Sequence, residues 1–512
     1  MIDIGTSDAP ADTDIIEIQT RVSFHRTRSK ASLPMDEWIN WIIGAAALAW
    51  GLFGIWAAAH ALMYKRDPRS ALGWSAACLF LPYAGPLIYL LFGINRIGQH
   101  ARRLGHLPAF KQPSPADKPT IGDTRTEPVS PVSRFINISD QVTSRPLVSG
   151  NHIQPFFNGD DAYAEMLADI RRAQRSIMLA TYIFRTDMTG AQFISDLTDA
   201  ASRRVEVWVL IDGIGELYSI PRASKKLSKV GVPNKRFIPL SLIPPSLHLN
   251  LRNHRKILVI DGEVGYTGGM NIGNQHVKDQ QGNIPVADMH FRLTGPVVKQ
   301  LEQVFIEDWH FSTRDRITKT NPSPAEIGPE SALARVIADG PDDDLGKLAL
   351  ILEAAISAAQ RSVRIMTPYF LPTREMIAAL KSAALRGVRV DIVLPEKSNL
   401  RYVDWATRNL LWELLKWGIN IYYQPPPFAH TKLFVVDCDY MHIGSANIDP
   451  RSLRLNFEIA VEIIDSTLAE TLTRHFDDIV SHSRKITLEE VDKRSYPVRF
   501  RDSIAWLFSP YL

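Results

Sequence analysis

The chain has 512 residues, 45% of them hydrophobic, with a net charge of +3 and two cysteines. This length allows two or three domains and a large core. The near balance of charge argues against a nucleic-acid polyanion as the main partner. The two cysteines, Cys78 and Cys438, exclude a disulfide framework and agree with a reducing compartment.

In chain order, residues 1–36 are polar and mixed in charge and read as a mobile arm. Residues 37–104 read as a membrane hairpin. Trp38 to Met63 is apolar and long enough to cross a bilayer as a helix. Ala71 to Gly93 is a second apolar stretch, broken by Pro82 and Pro86, which also permit a re-entrant path. Trp38, Trp41, Tyr83 and Tyr89 suit interfacial positions. Lys65, Arg66 and Arg69 occupy the link. Arg26, Arg28 and Lys30 precede the hairpin, and Arg96, Arg102 and Arg103 follow it. The outer flanks share one side and together carry more positive charge than the link. The positive-inside rule then places a multi-pass anchor with the body in the cytoplasm. The late start and length of the first stretch argue against a cleaved signal peptide.

Residues 105–150, rich in Pro, Ser, Thr and Asp, read as a linker. The rest repeats itself. Ser176-Ile-Met-Leu-Ala-Thr-Tyr-Ile-Phe184 aligns with Ser362-Val-Arg-Ile-Met-Thr-Pro-Tyr-Phe370. Helical patterns follow at 191–202 and 375–386, then strand-like runs at 205–211 and 388–394. This β-α-β order, twice over, predicts two α/β halves at 151–335 and 336–512, each a mixed sheet flanked by helices. The apolar, proline-containing stretch 240–249 suits either a packed loop or one that dips into lipid. The helix expected around Tyr402 to Trp417 has an apolar face that suits a core.

Each half carries the same signature, H-x-K-x4-D. It occurs as His254, Lys256 and Asp261 in Asn253-His-Arg-Lys-Ile-Leu-Val-Ile-Asp-Gly262, and again as His430, Lys432 and Asp437. Residues at i and i+2 of a strand point the same way, so one strand delivers an imidazole and an ammonium to one spot. Imidazole is a nucleophile or proton donor near neutral pH, and the ammonium neutralises phosphate oxygens. A small-residue turn follows each copy, Gly268-Gly-Met-Asn271 and Gly444-Ser-Ala-Asn447. Its backbone N–H groups, at Gly269 and Ser445 among others, and the amides of Asn271 and Asn447 read as phosphate donors. One copy is half a catalyst, because in-line displacement needs an attacking group and, opposite it, a proton donor. Two facing copies supply both, without a cofactor; no carboxylate cluster or Cys/His spacing reads as a metal site. Two complete copies with matching turns make coincidence remote. Asp261 and Asp437, at the strand ends, fit direct chemistry and a purely geometric role equally well.

On these residues the chain resembles the phospholipase D superfamily, and within it the bacterial cardiolipin synthases. The resemblance is carried by Asn250-Leu-Arg-Asn-His-Arg-Lys256, by Gly444-Ser-Ala-Asn-Ile-Asp-Pro-Arg-Ser452 with Asn456-Phe-Glu458, by the ending Leu507-Phe-Ser-Pro-Tyr-Leu512, and by the stretch Leu81 to Gly93. It covers roughly residues 38 to 512. It implies a pseudo-symmetric fold, a phosphohistidine on His254, and His430 as acid and then base. Lys256, Lys432, Asn271 and Asn447 would hold phosphate oxygens. An acidic residue past each motif would orient that motif's histidine, Asp288 in the first copy and Glu458 in the second. Pro425-Pro-Pro-Phe428 departs from the family at the mouth of the site. The implied substrates are phosphatidylglycerol and other membrane phospholipids, the implied place the inner membrane. A phospholipase D-type hydrolase releasing phosphatidic acid shares the same residues. A non-catalytic membrane scaffold and a nuclease are weaker readings.

Overall fold

The computed structural model describes residues 35–65, 68–94, 131–143, 145–239, 251–279, 281–317, 321, 328, 331–340 and 346–509. The arm 1–34, most of the basic flanks, the apolar stretch 240–249 and the last three residues lie outside the described residues. The chain divides into two compact units, residues 1–94 and residues 95–512.

In the first unit a 30-residue helix, Met35–Tyr64, is followed by Pro68–Phe80, a short helix Ala84–Ile88 and a π-turn Tyr89–Gly93. The first helix packs through Ala57, Ala58 and Ala61, with Cys78 and Tyr89 in the same buried cluster. Trp41, Ile42, Leu52 and Leu62 of the same helix are exposed, as suits an apolar surround. By length and composition, Trp38–Tyr64 is long and apolar enough to cross a membrane. The second apolar stretch is not one helix. It breaks at residues 81–83, where Pro82 lacks an N–H and disfavours helix at the residue before it.

The second unit is built on a 15-stranded sheet. The first half supplies β1 (Val148–Phe156), β2 (Ser176–Thr181), β3 (Glu206–Asp212), β4 (Asn234–Phe237), β5 (Ile257–Ile260), β6 (Val264–Gly268), β7 (Val286–Ala287) and β8 (His290–Thr294). The second supplies β9 (Ala332–Asp339), β10 (Ser362–Met366), β11 (Arg389–Pro395), β12 (Asn420–Gln424), β13 (Phe428–Ala429), β14 (Leu433–Val436), β15 (Tyr440–Gly444), β16 (Glu458–Ile464) and β17 (Arg484–Ile486). From one edge the order is β4-β3-β2-β5-β6-β8-β1, and from the other, after β17, β12-β11-β10-β14-β15-β16-β9. The two series mirror each other and join where β1 pairs antiparallel with β9. The short strands β7 and β13 pair separately.

Both sheet faces are covered, which explains the unbroken apolar runs of the motif strands. Ile257 and Val259 face one core and Leu258 and Ile260 the other. Leu433 and Val435 share the core of Ile257, while Phe434 and Val436 face a third. The shared core lies under the helices Val297–Thr313 and Ser466–Ser481. The opposite face is covered by Gly159–Arg172 and Met188–Ser202 in one half, and by Lys347–Ala358 and Arg374–Leu385 in the other. Side chains at the helix starts fix their entry. Asn158, Asp187, Thr373 and Asp465 each accept a backbone N–H of the first turn. The helix Arg401–Leu415 buries Val403, Ala406, Leu410, Leu411 and Leu414, the face expected to be core.

Two boundaries differ from the sequence reading. Within the expected linker 105–150, residues 131–142 form a helix and β1 begins at Val148. Phe135 of that helix stacks on Tyr440 at 4.6 Å, and Ser139 donates to Glu462 across 2.6 Å. The helix buries Phe135 and Ser139, and it escapes the sequence reading because the surrounding Pro-, Ser- and Thr-rich composition masks its short helical pattern. The boundary expected at 335/336 falls inside β9.

Candidate active site

His254 and Lys256 stand just before β5, and His430 and Lys432 just before β14, so each pair sits at a strand's lip rather than within it. Each lip is bonded to the other half. The N–H of His254 donates to the carbonyl of Phe457 at 2.9 Å, and the N–H of Phe457 donates to Arg252 at 2.8 Å. The N–H of His430 donates to the carbonyl of Ala287 at 2.7 Å, beside the parallel pairing of β13 with β7. The pseudo-symmetry thus brings the two imidazoles to one cavity of about 610 Å³, lined also by Asn271 and Asn447.

The carboxylates cross over, which corrects the expectation that each would serve its own motif. Glu458, of the second copy, lies 3.1 Å from Nδ1 of His254. Asp288, of the first copy, lies 2.6 Å from Nδ1 of His430. Each contact fixes Nδ1, which leaves Nε2 of His254 to face a reactant, whereas the Nζ of Lys432 stands 3.2 Å from Nε2 of His430. Glu458 also accepts from Ser445 Oγ, and from Asn456 Nδ2 at 2.9 Å. Asp288 accepts the N–H of Met289 at 2.8 Å.

The turn residues Gly269 and Ser445, expected to present N–H groups to an anion, spend them elsewhere. Gly269 donates to Met289 at 3.0 Å and Ser445 to Ile459 at 2.9 Å. Their side-chain positions serve the carboxylates instead. A Cβ on Gly269 would stand 2.2 Å from Asp288 Oδ1, whereas the Ser445 hydroxyl holds Glu458. Asn271 uses its Oδ1 to accept the N–H of Ile183 at 3.1 Å, which leaves its amide hydrogens as donors.

Asp261 and Asp437 stand apart from this group, at the far ends of β5 and β14. Asp261 accepts the backbone N–H groups of Gln174, Arg175 and Ser176 at 2.8, 2.6 and 2.8 Å. Asp437 does the same for Gln360, Arg361 and Ser362 at 2.8, 2.7 and 2.8 Å. Both have φ of 53°, where a short acidic residue is tolerated. Of the two readings left open by the sequence, the geometry matches the structural one.

The electrostatics follow from burial. Burial pushes Lys256 down to about 7 and Lys432 down to about 8, although Glu458 and Asp288 pull both upward. Burial likewise lowers His254, against the pull of Glu458, and brings His430 to about 3, with Lys432 adding to the effect. Burial alone would raise Asp288, but Lys432 and His430 hold it at about 2. Glu458 is also low, because His254 and Lys256 outweigh its burial. In the free site burial thus favours the neutral form of both imidazoles, and the facing cations favour the ionised form of both carboxylates.

Three lining groups escape the sequence reading. Tyr182 stands 5.2 Å from the His254 ring and Tyr369 stands 6.4 Å from the His430 ring, both edge-on. They follow β2 and β10 in the aligned repeat, one position out of register, and that pairing is the signal that could have found them. Asp449, which caps the turn Pro450–Arg454, also faces the cavity and is raised to about 6 by burial. It lies two residues past Asn447.

Two α/β halves that clamp a histidine pair between them define a phospholipase D-like protein. A solved phosphatidylserine synthase from Haemophilus influenzae Rd KW20 has this fold, with a TM-score of 0.56 at 14% identity over 74% of this chain and 100% of that one. A family model for the phospholipase D-like domain of cardiolipin synthase matches residues 166–309 and 352–480, and a phospholipase D-nuclease N-terminal model matches residues 47–93. The major cardiolipin synthase ClsA of Bacillus subtilis (strain 168) is 32% identical over 88% of this chain and 95% of its own length. Cardiolipin synthase A of Pseudomonas aeruginosa (strain LESB58) is 32% identical over 87% of this chain and 90% of its own. The chain belongs to the cardiolipin synthase family of phospholipase D-like proteins.

Proposed function

We propose that this protein is a phosphatidyltransferase that makes cardiolipin and glycerol from two molecules of phosphatidylglycerol. The observation that carries the reading is the crossed pair: two imidazoles from two halves, each fixed at Nδ1 by the other half's carboxylate, opening on one cavity. In this proposal Nε2 of His254 attacks the donor phosphorus. The bond from phosphorus to the headgroup glycerol breaks, and the leaving oxygen takes a proton from His430. The glycerol hydroxyl of the second lipid then gives its proton to His430 and attacks the same phosphorus, and the P–N bond breaks. Two in-line steps give net retention. Lys256, Lys432, Asn271 and Asn447 hold the phosphate oxygens. A bound phosphodiester supplies the negative charge that the two lysines lack, so it raises His430 toward the protonated form that the first step needs.

The same proposal seats residues 38–93 in the inner membrane as a two-pass anchor with the catalytic body on the cytoplasmic side. Neither substrate then has to leave the bilayer, which suits a transferase better than a hydrolase. The test uses purified protein in vesicles of phosphatidylglycerol labelled with ³²P. Cardiolipin should form, rapid quenching in alkaline detergent, in which a P–N bond survives, should trap label on His254, and His254→Ala should lower turnover by about a thousandfold or more. Phosphatidic acid as the sole lipid product, or label trapped on His430 alone, would sink the respective part of the scheme.

A further inference from the structure

The cavity is larger than one phosphate requires. Its volume of about 610 Å³ lies within the range that encloses a drug-sized ligand, roughly 300–1,000 Å³. Tyr182, Arg252 and Arg451 line it near His254, and the transfer scheme above uses none of them. Tyr182 is the aromatic edge beside His254. Arg252 adjoins Tyr182, and Arg451 is near enough that its charge, added to burial, holds Arg252 below its ordinary value. Both arginines are rooted where the halves cross. The carbonyl of Arg252 accepts the Phe457 N–H at 2.8 Å, and that of Arg451 accepts the Asn456 N–H at 2.9 Å.

Their guanidinium groups are not spent on ion pairs among the described residues. The nearby carboxylates are engaged by the backbone. Asp212 accepts the N–H groups of Ile214, Gly215 and Asn253, and Asp449 accepts that of Ser452. Two adjacent cations in a half-closed cavity repel each other unless an anion joins them.

The acceptor in the proposed reaction brings such an anion. Its attacking hydroxyl belongs to a glycerol whose other end carries a phosphodiester. That charge must sit close to the donor phosphate, where it would be repelled without a counter-charge of its own. Water, the acceptor of a hydrolase, carries no such charge. We propose that Arg252 and Arg451 form a second phosphodiester subsite, which holds the phosphate of the acceptor lipid while its hydroxyl reaches the phosphorus on His254. The inference rests on the phosphatidyl transfer proposed above.

Two reactions of the full-length protein in phosphatidylglycerol vesicles separate the subsites. Cardiolipin formation needs a charged acceptor. Exchange of radiolabelled free glycerol into phosphatidylglycerol reverses the first step and needs only the donor site. Arg451→Gln should slow cardiolipin formation by about tenfold or more and leave exchange within about twofold. Arg451→Lys should recover part of the loss, since it keeps the charge without the planar fork. Arg252→Gln is the second variant, and exchange in the same preparation reports that each variant is folded. The proposal is overturned if exchange falls as far as cardiolipin formation, or if cardiolipin formation does not fall. Wild-type protein that exchanges glycerol yet makes no cardiolipin would remove the synthase reading itself.

Discussion

Lys256 and Lys432 are 2% and 6% exposed, so neither ammonium can rely on water. Burial brings them to about 7 and about 8, from an ordinary value of 10.5. At pH 8 the free protein therefore holds less than its full complement of protons on this pair. A phosphodiester anion between them favours the charged forms, and the missing protons return on binding. The sign follows: binding takes up protons at pH 8, and affinity falls as pH climbs from about 7 toward 10. Calorimetry with a non-reacting phosphodiester, in buffers of different ionisation enthalpy, measures the uptake directly. A binding heat that does not vary with the buffer at pH 8 would mean that both lysines are already fully charged.

The repeated element, from the histidine to the aspartate, divides its work between its two ends. One end carries the reactive groups; at the other, Asp261 and Asp437 each tie down three N–H groups at the start of β2 and β10. Asp261→Ala removes a charged acceptor from that cluster and should cost about 2 kcal/mol of stability, read as a lower denaturation midpoint. The rate per folded molecule should stay within about twofold, while Lys256→Ala should reverse the pattern, keeping the midpoint and losing the rate. Loss of rate in Asp261→Ala without loss of stability would return the aspartate to the chemistry. Much of this element is legible in the sequence, because Ile257–Ile260 and Leu433–Val436 are buried on both faces and read as continuous apolar runs. The partners of the histidines are not. Glu458 lies 204 residues from His254, and Asp288 lies 142 residues before His430. Only the pseudo-two-fold packing decides which carboxylate meets which ring. Gly269 is misread for a related reason: its neighbour Asp288 is close in space, and a turn glycine looks the same whether it makes room for an anion or for a side chain.

On the scale of the whole molecule, the crossover makes one catalytic body of the two halves, and the remaining question is how that body meets its lipids. The helix Pro68–Phe80 has 13 residues, about 20 Å of rise, short of a hydrocarbon core of about 30 Å. Residues Ala84–Gly93 add about 15 Å if they continue the same way, and the break at Pro82 then becomes a kink inside a second crossing. If instead the chain turns back at the break, the segment is re-entrant and the catalytic body emerges on the side of the link. The two geometries differ in one observable. In a background with Cys78 and Cys438 replaced by alanine, single cysteines are placed at Lys65, in the link, and at Lys229, on the exposed end of the helix Ala223–Lys229. Two crossings with positive flanks inside require Lys65→Cys to react with an impermeant maleimide added to intact spheroplasts, and Lys229→Cys to react only after the membrane is opened. Labelling of both Lys65→Cys and Lys229→Cys from outside would put the histidine pair on the other face of the membrane and make the second segment re-entrant. The donor lipid would then have to come from the outer leaflet, because the carboxylate-clamped cavity takes its headgroups from whichever surface it faces.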